Sequence, residues 1–211
     1  MSVTDGIPAG KKRWGKDMKL RLKYNAPVIL TFALICTVVL VISEMDGYRI
    51  ASEWFVTRRG SFLEPRTWIT MVTYVFGHSG IDHFMSNMML LLLTGPVVEE
   101  KYGSLSTAVI MLVTAVVTAL ANMIVTPNGL IGCSGIVFAF IILCSMTSFS
   151  RGEIPLTMVL VIVLYLGSEI VSGFTAQDDV SHMAHILGGI AGAVFGYALN
   201  NGQGSLHFPK K

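Results

Sequence analysis

Ser134 and His185 are the two residues whose types and settings most directly suggest chemistry in this chain. Ser134 opens an apolar run that ends near Phe149, and His185 opens another that ends near Leu199. Nucleophilic or ionisable side chains at membrane depth are costly, which makes them functional candidates by default. A serine and a histidine that enter a bilayer from the same side predict a hydrolase that works inside the membrane.

The pairing of these two residue types predicts a catalytic dyad. A serine hydroxyl is a weak nucleophile and needs a neighbouring base to take its proton. His185 suits that role because an imidazole titrates near neutrality. No carboxylate occupies a motif-like position for the third member of a triad. Asp178 and Asp179 precede His185 in a loop, and we interpret them as solvating that loop.

Acyl transfer also needs hydrogen-bond donors for the developing oxyanion. His83 and Asn87 are four residues apart, so on a helix they share one face and can point at the same spot. The main-chain amide of Ser134, near a helix N-terminus, is a third candidate donor. His78, five residues before His83, is expected at the start of that helix or on a water-accessible rim.

Glycines recur every fourth residue of the last apolar segment, as small residues do where membrane helices approach closely: Gly188, Gly192 and Gly196. His185 falls on the same stripe. Gly132 and Gly135 flank Ser134 and are expected to thin its helix at that point. Close approach of the two helices would then bring His185 within reach of Ser134.

The composition is that of a multi-spanning membrane protein. Hydrophobic residues make up 53% of the 211 residues and charged residues only 13%, whereas a typical soluble domain carries about 25% charged residues. The mean hydropathy is +0.65. No basic cluster alternates with aromatic residues as a nucleic-acid surface would, so we expect no nucleic-acid partner.

Six apolar segments exceed the minimum of about 17 residues that a transmembrane helix needs: 26–43, 81–98, 105–125, 131–149, 155–173 and 182–199. Turn signals separate them, among them the charged stretch 99–103. The sequence therefore predicts an all-α membrane protein with six transmembrane helices in residues 26–200. A basic tail (1–25), a long first extracytoplasmic loop (44–80) and a short tail (201–211) complete this division of the chain.

The basic residues predict the orientation. An even number of spans puts both termini on one side, and that side collects the seven basic residues of the first tail and four others: Lys101, Arg151, Lys210 and Lys211. We therefore expect both termini in the cytoplasm and a multi-pass protein of the plasma membrane. The candidate site then lies at the outer-leaflet end of the second, fourth and sixth helices.

These residues resemble the rhomboid family of intramembrane serine proteases, in its minimal six-helix form, from about Glu64 to Tyr197. The likeness rests on three patterns: His78-x4-His83-x3-Asn87, Gly132-x-Ser134-Gly135 and Ala184-His185-x2-Gly188-x3-Gly192. The resemblance implies that Ser134 is the nucleophile and His185 the general base. It also implies that His83, Asn87 and the amide of Ser134 form the oxyanion hole, and that His78 helps to retain water near the site.

By the same resemblance, the expected substrates are other membrane proteins, cut near the outer boundary where their transmembrane helix unwinds. The fifth helix and the loop 174–181 are similar to the family's lateral gate and cap. The expected partners are such substrates and the lipid bilayer, and no cofactor or metal is expected. The family's Trp-Arg pair in the first outer loop is inverted here, as Arg66-Thr67-Trp68, so its role is not carried over.

Other functions fit the sequence less well. A metalloprotease needs His-Glu-x-x-His, which the stretch from His78 to His83 does not supply. Aspartyl proteolysis needs carboxylates within the spans, and these offer only Glu169, whose role stays open. Cys133 is an alternative nucleophile, although glycines frame Ser134 instead. A small transporter would carry polar groups through to the inner side. The main alternative is a catalytically silent rhomboid-like protein that binds membrane segments.

Overall fold

The computed structural model describes residues 23–146, 156–167 and 182–201. Its helices are α1 (Pro27–Met45), α2 (Arg49–Trp54), α3 (Pro65–Thr73), α4 (Ile81–Tyr102), α5 (Ser104–Val125), α6 (Ser134–Ser145), α7 (Leu156–Val161) and α8 (His182–Asn201). A 3-10 turn, Tyr74–Phe76, follows α3, and a π-helical segment, Ile162–Leu166, follows α7. The predicted all-α class is confirmed for these residues.

Four of the described helices are long and apolar enough to cross a membrane: Pro27–Met45, Ile81–Tyr102, Ser104–Val125 and His182–Leu199. Helix α6 has 12 residues, about 18 Å at 1.5 Å per residue, which is shorter than the hydrocarbon core of about 30 Å. The predicted spans 131–149 and 155–173 both run into residues outside the described ranges. The count of six spans therefore stays a prediction.

Helix α4 continues four residues beyond its predicted end. The charged stretch 99–103 was expected to be a turn, but it is helical up to Tyr102, and the chain turns only at Gly103, where φ is +82°. The reason is a non-local contact of Glu99, whose buried carboxylate accepts hydrogen bonds from the amides of Val28 and Ile29, both at 3.1 Å. The Ser104 hydroxyl donates a third bond at 2.6 Å.

These four residues form what we call the Glu99 clamp: Glu99, Val28, Ile29 and Ser104. The first amides of a helix lack partners within the helix, and an anion is favoured at that end by the helix dipole. The Glu99 carboxylate meets both needs for α1. The clamp thereby ties the start of α1 to the end of α4 and the start of α5.

The long first loop, which the sequence predicts to be extracytoplasmic, contains more regular structure than its composition predicts. Residues 44–80 were predicted as a long loop, yet they contain α2 and α3. Arg59 holds this region to the rest of the protein, because its guanidinium donates to the carbonyls of Met123 (2.7 Å) and Ile124 (2.8 Å) at the end of α5. Thr57 pairs with Leu130 through two backbone hydrogen bonds. The loop is thus anchored beside the segment that leads into α6.

Helix α6 lies at the centre of the described structure, packed against α4, α5 and α8. Its contact with α8 is very close. A Cβ atom on Gly188 would lie 2.0 Å from the carbonyl oxygen of Gly135, and one on Gly192 would lie 2.4 Å from that of Ala139. Such distances are far below van der Waals contact, so the two backbones touch because these positions carry no side chain.

Candidate active site

A cavity of about 860 Å³ collects four of the residues singled out in the sequence. Its lining includes His83, Asn87, Ser134 and His185, which come from α4, α6 and α8. Segments that are far apart in the chain therefore place a serine, two histidines and an amide around one space. The volume lies in the range typical of ligand-binding pockets, about 300 to 1,000 Å³.

Ser134 is the first residue of α6, whereas the sequence predicted a helix that began at Ile131. The prediction was wrong because the preceding residues are held by partners elsewhere in the fold. The Gly132 amide donates to the carbonyl of Tyr74 at 3.0 Å, and Leu130 pairs with Thr57. The Ser134 amide is consequently one of the N–H groups at a helix start that have no partner within the helix, and Ser134 lines the cavity.

Gly132 lies outside α6 and does not thin that helix, contrary to the expectation. Its φ is +106°, a conformation that favours glycine. A Cβ atom there would also lie 2.7 Å from Cε1 and Nε2 of the His83 ring. Glycine at this position therefore allows the turn that leads into Ser134, and it allows the His83 ring to approach the backbone of Gly132 closely.

His185 is positioned by an aromatic ring of α6. Its imidazole stacks on Phe138 with ring centroids 4.3 Å apart and an interplanar angle of 5°. Phe138 follows Ser134 by four residues, so the two side chains share one face of α6. The imidazole of His185 therefore lies over the helix face that carries Ser134, and it is 9% exposed.

The remaining glycines of the predicted site act through this helix pair. Gly135 lies in the first turn of α6, where a Cβ atom would lie 3.2 Å from the carbonyl oxygen of Ala184, the residue before His185. Gly188 and Gly192 continue the contact along α8. Because these three positions carry no side chain, α8 packs closely enough against α6 for His185 to lie near the start of α6.

Asn87 is buried and also lines the cavity. Its side-chain nitrogen donates to the carbonyl of His83 at 2.8 Å. A side-chain amide carries two hydrogens, and the bond to His83 uses one of them. This bond leaves the second N–H group of Asn87 for another acceptor, and its role as an oxyanion donor stays a prediction.

His78 precedes α4 as expected, but the alternative placement on a water-accessible rim is wrong. The side chain is 1% exposed. Its ring packs edge-on to those of His83 and Phe84, at centroid distances of 5.2 and 5.4 Å. Its Nε2 lies 3.9 Å from the Sγ atom of Cys133. Burial, and then the neighbouring His83, lowers the pKa of His78 to about 4.

Two contacts of the site were not predicted from the sequence. Phe138 was not singled out in the sequence, although its spacing of four residues from Ser134 was a signal that it faces the same cavity. Ser79 contacts the His83 ring, and nothing in its spacing distinguished it from other serines. Both contacts depend on how separate segments meet.

Some predicted features cannot be located. The aspartates Asp178 and Asp179, the loop 174–181 and Glu169 all lie outside the described residues. Over the ranges that are described, no group of three or more His, Cys, Asp or Glu side chains is arranged to hold a metal ion.

Comparison with known proteins finds relatives that carry the rhomboid name. The family profile named Rhomboid domain matches residues 65–202. The chain is 31% identical over 137 residues to Rhomboid-related protein 1 of Caenorhabditis elegans, a match that covers 60% of this chain and 38% of the relative. It is 26% identical over 185 residues to Rhomboid protease GluP of Bacillus subtilis, covering 82% of this chain and 35% of the relative.

A third relative is Rhomboid-like protein 11, chloroplastic, of Arabidopsis thaliana, 27% identical over 149 residues. That match covers 63% of this chain and 53% of the relative. The chain thus spans between about a third and about half of the length of these relatives.

Proposed function

Because this chain belongs to the rhomboid family, we propose that it is an intramembrane serine endopeptidase that cleaves transmembrane segments of other membrane proteins. One observation carries the proposal: His185 stacks on Phe138, one helical turn from Ser134, at the edge of the cavity that both catalytic residues line. The Bacillus subtilis relative, which is named a protease, supports the same activity.

The reaction follows from the groups around the cavity. The Oγ atom of Ser134 attacks the scissile carbonyl carbon while His185 takes the hydroxyl proton. The electron pair moves to the carbonyl oxygen, which becomes an oxyanion. Three donors face this charge: the ring N–H of His83, the side-chain amide of Asn87 and the main-chain amide of Ser134.

The tetrahedral intermediate then collapses, and the C–N bond breaks. His185 passes its proton to the leaving amine, which leaves an ester between the substrate acyl group and Ser134. A water molecule attacks that ester while His185 takes its proton. The proton returns to the Oγ atom of Ser134 as the acid product departs, so the enzyme is restored. No cofactor or metal takes part in these steps.

We further propose a six-helix arrangement with both termini in the cytoplasm of a plasma membrane. The seven basic residues within 1–25 support this orientation, because loops and tails rich in Lys and Arg favour the cytoplasmic side. The cavity then lies at the outer-leaflet end of the bundle. A substrate helix has to expose a backbone carbonyl there, which favours segments that unwind easily near the outer boundary.

The alternative is a catalytically silent member of the family that binds membrane segments. The presence of both Ser134 and His185 around one cavity favours an active protease. A thiol nucleophile is disfavoured because Cys133 is fully buried and its Sγ atom faces His78 instead of the cavity.

The test is cleavage of a single-span reporter protein in proteoliposomes. Wild type is expected to cut the reporter near its outer boundary, and Ser134→Ala and His185→Ala are each expected to lose at least about 10³-fold in rate. Cys133→Ala is the matched control and should retain activity. Cleavage that survives Ser134→Ala and disappears in Cys133→Ala would overturn the assignment.

A further inference from the structure

Ser79 contacts the Nδ1 atom of His83 through two groups. Its backbone amide donates to Nδ1 at 3.4 Å, and its hydroxyl oxygen lies 3.0 Å from the same atom. Ser79 lies in the short connection between the 3-10 turn and α4, just before the helix starts at Ile81. It also lines the cavity together with His83.

This contact selects one form of the His83 ring. A backbone N–H group donates and never accepts, so Nδ1 must be the accepting nitrogen. In a neutral imidazole one ring nitrogen accepts and the other carries the hydrogen. The proton of neutral His83 is therefore on Nε2, and the Ser79 hydroxyl donates to Nδ1 as well.

The Nε2 atom faces the start of α6. A Cβ atom on Gly132 would lie 2.7 Å from Nε2, and Gly132 is two residues before Ser134. The N–H group that Ser79 fixes on His83 is therefore on the side of the ring near Gly132, and His83 and Ser134 line the same cavity. The other ring nitrogen, held by Ser79, is turned away from that point.

We infer that Ser79 is a positioning residue that holds His83 as the Nε2–H tautomer, so that the ring donates to the oxyanion. The inference rests on the proposed function, because it assigns to His83 the role of an oxyanion donor. Ser79 acts through His83 and does not touch the reacting atoms. The hydrogen bond fixes both the tautomer and the ring orientation, as second partners of histidine commonly do.

The first test compares Ser79→Ala with Ser79→Thr in reconstituted protein. Ser79→Ala removes the hydroxyl, which is the closer of the two groups at Nδ1, and keeps only the backbone amide. Because the His83 ring is then held less firmly, kcat should fall by on the order of tenfold, with KM within about twofold. Ser79→Thr keeps the hydroxyl and should restore most of the rate. Ser52→Ala, whose hydroxyl donates to Arg49 in the outer loop, is the matched control and should leave kcat unchanged.

The second test is a double-mutant cycle with His83→Ala. If Ser79 acts through the ring, Ser79→Ala should have no further effect on kcat when His83 is absent. A purely structural role of Ser79 would instead lower kcat by the same factor in both backgrounds. An unchanged kcat in Ser79→Ala, or equal factors in the two backgrounds, would overturn the inference.

Nitrogen NMR of histidine-labelled protein separates this inference from the proposed function. Wild type and Ser79→Thr should show His83 protonated at Nε2 and unprotonated at Nδ1. Ser79→Ala keeps only the longer bond, from the backbone amide, and should show a larger fraction of the Nδ1–H tautomer than wild type. This readout does not depend on proteolysis. An inactive wild type with the Nε2–H signature would refute the proposed function alone, whereas an active wild type with His83 protonated at Nδ1 would refute the inference alone.

Discussion

The Glu99 clamp and the cavity around Ser134 are both built where polar groups meet a helix N-terminus inside an apolar protein. At the clamp, the buried carboxylate of Glu99 accepts from two amides of α1 and from the Ser104 hydroxyl. At the start of α6, the amide of Ser134 and its neighbours face a cavity of about 860 Å³. The clamp satisfies its helix start with protein groups alone, whereas the start of α6 faces an open space, which is where the proposed function puts the substrate.

The largest effect that separates the two regions is expected from Gly188→Leu. A side chain at this position collides with the carbonyl oxygen of Gly135, so α8 must move away and take His185 with it. Cleavage should fall by more than about 100-fold, since a displacement of about 1 Å at a catalytic group can cost that much. Gly167→Ala is the control, because a Cβ atom there meets no other atom within 4 Å. Full activity of Gly188→Leu would refute the close-packing account.

The clamp should respond in stability instead of catalysis. Glu99→Gln removes the charge that three donors share, and we expect a loss of about 2 kcal/mol in the free energy of unfolding. Thermal unfolding in detergent measures this change. The neighbouring residue Glu100 is exposed, so Glu100→Gln should leave the unfolding temperature unchanged. The folded fraction of Glu99→Gln should cleave at the wild-type rate. A loss of kcat in the folded protein would contradict the claim that the clamp contributes to stability and not to catalysis.

A smaller effect is expected from the ring that positions His185. Phe138→Leu removes the stacked face, and aromatic pairing contributes about 0.5 to 1.5 kcal/mol beyond its buried area. The value of kcat should fall about three- to tenfold, and Phe138→Tyr, which keeps the ring, should retain the wild-type rate. Steady-state cleavage of the reporter gives both values. Equal rates in Phe138→Leu and Phe138→Tyr would contradict the claim that the Phe138 ring positions His185.

The last effect is confined to acidic pH and concerns His78. Burial lowers the pKa of this histidine from 6.5 to about 4, so between these values the unfolded chain binds more protons than the folded one. The contribution of neutral, buried His78 to the free energy of unfolding is complete above about pH 6.5. It is lost as the pH falls toward 4, and the loss is about 1 kcal/mol near pH 5.5. Unfolding temperatures measured across this range should fall less steeply in His78→Gln than in wild type. Equal slopes would contradict the burial of a neutral His78.

The sequence predicted the parts of the site whose signals are local. The pattern of His83 and Asn87 and the glycine stripe that contains Gly188 each lie on one helix, where spacing alone defines a face. The close pairing of α6 and α8 follows from that stripe. Together with Ser134 and His185, the pattern of His83 and Asn87 named four of the residues that line the cavity.

What the sequence missed depends on contacts between distant segments. The charges at 99–103 indicated a turn, and only the partners of Glu99 in α1 explain why the helix continues. The start of α6 was predicted at Ile131 because the pairing of Leu130 with Thr57 is not visible in local composition. The same holds for the contact of Ser79 with His83, which depends on the path of the chain before α4.

The most direct measurement is active-site labelling with a fluorophosphonate, followed by mapping of the adduct by mass spectrometry. The account predicts a single adduct on Ser134 in wild type and none in Ser134→Ala. Labelling should be strongly reduced in His185→Ala, and Cys133→Ala should label like wild type. An adduct on another residue, or labelling of Ser134 that is unaffected by His185→Ala, would contradict the claim that these two side chains act together.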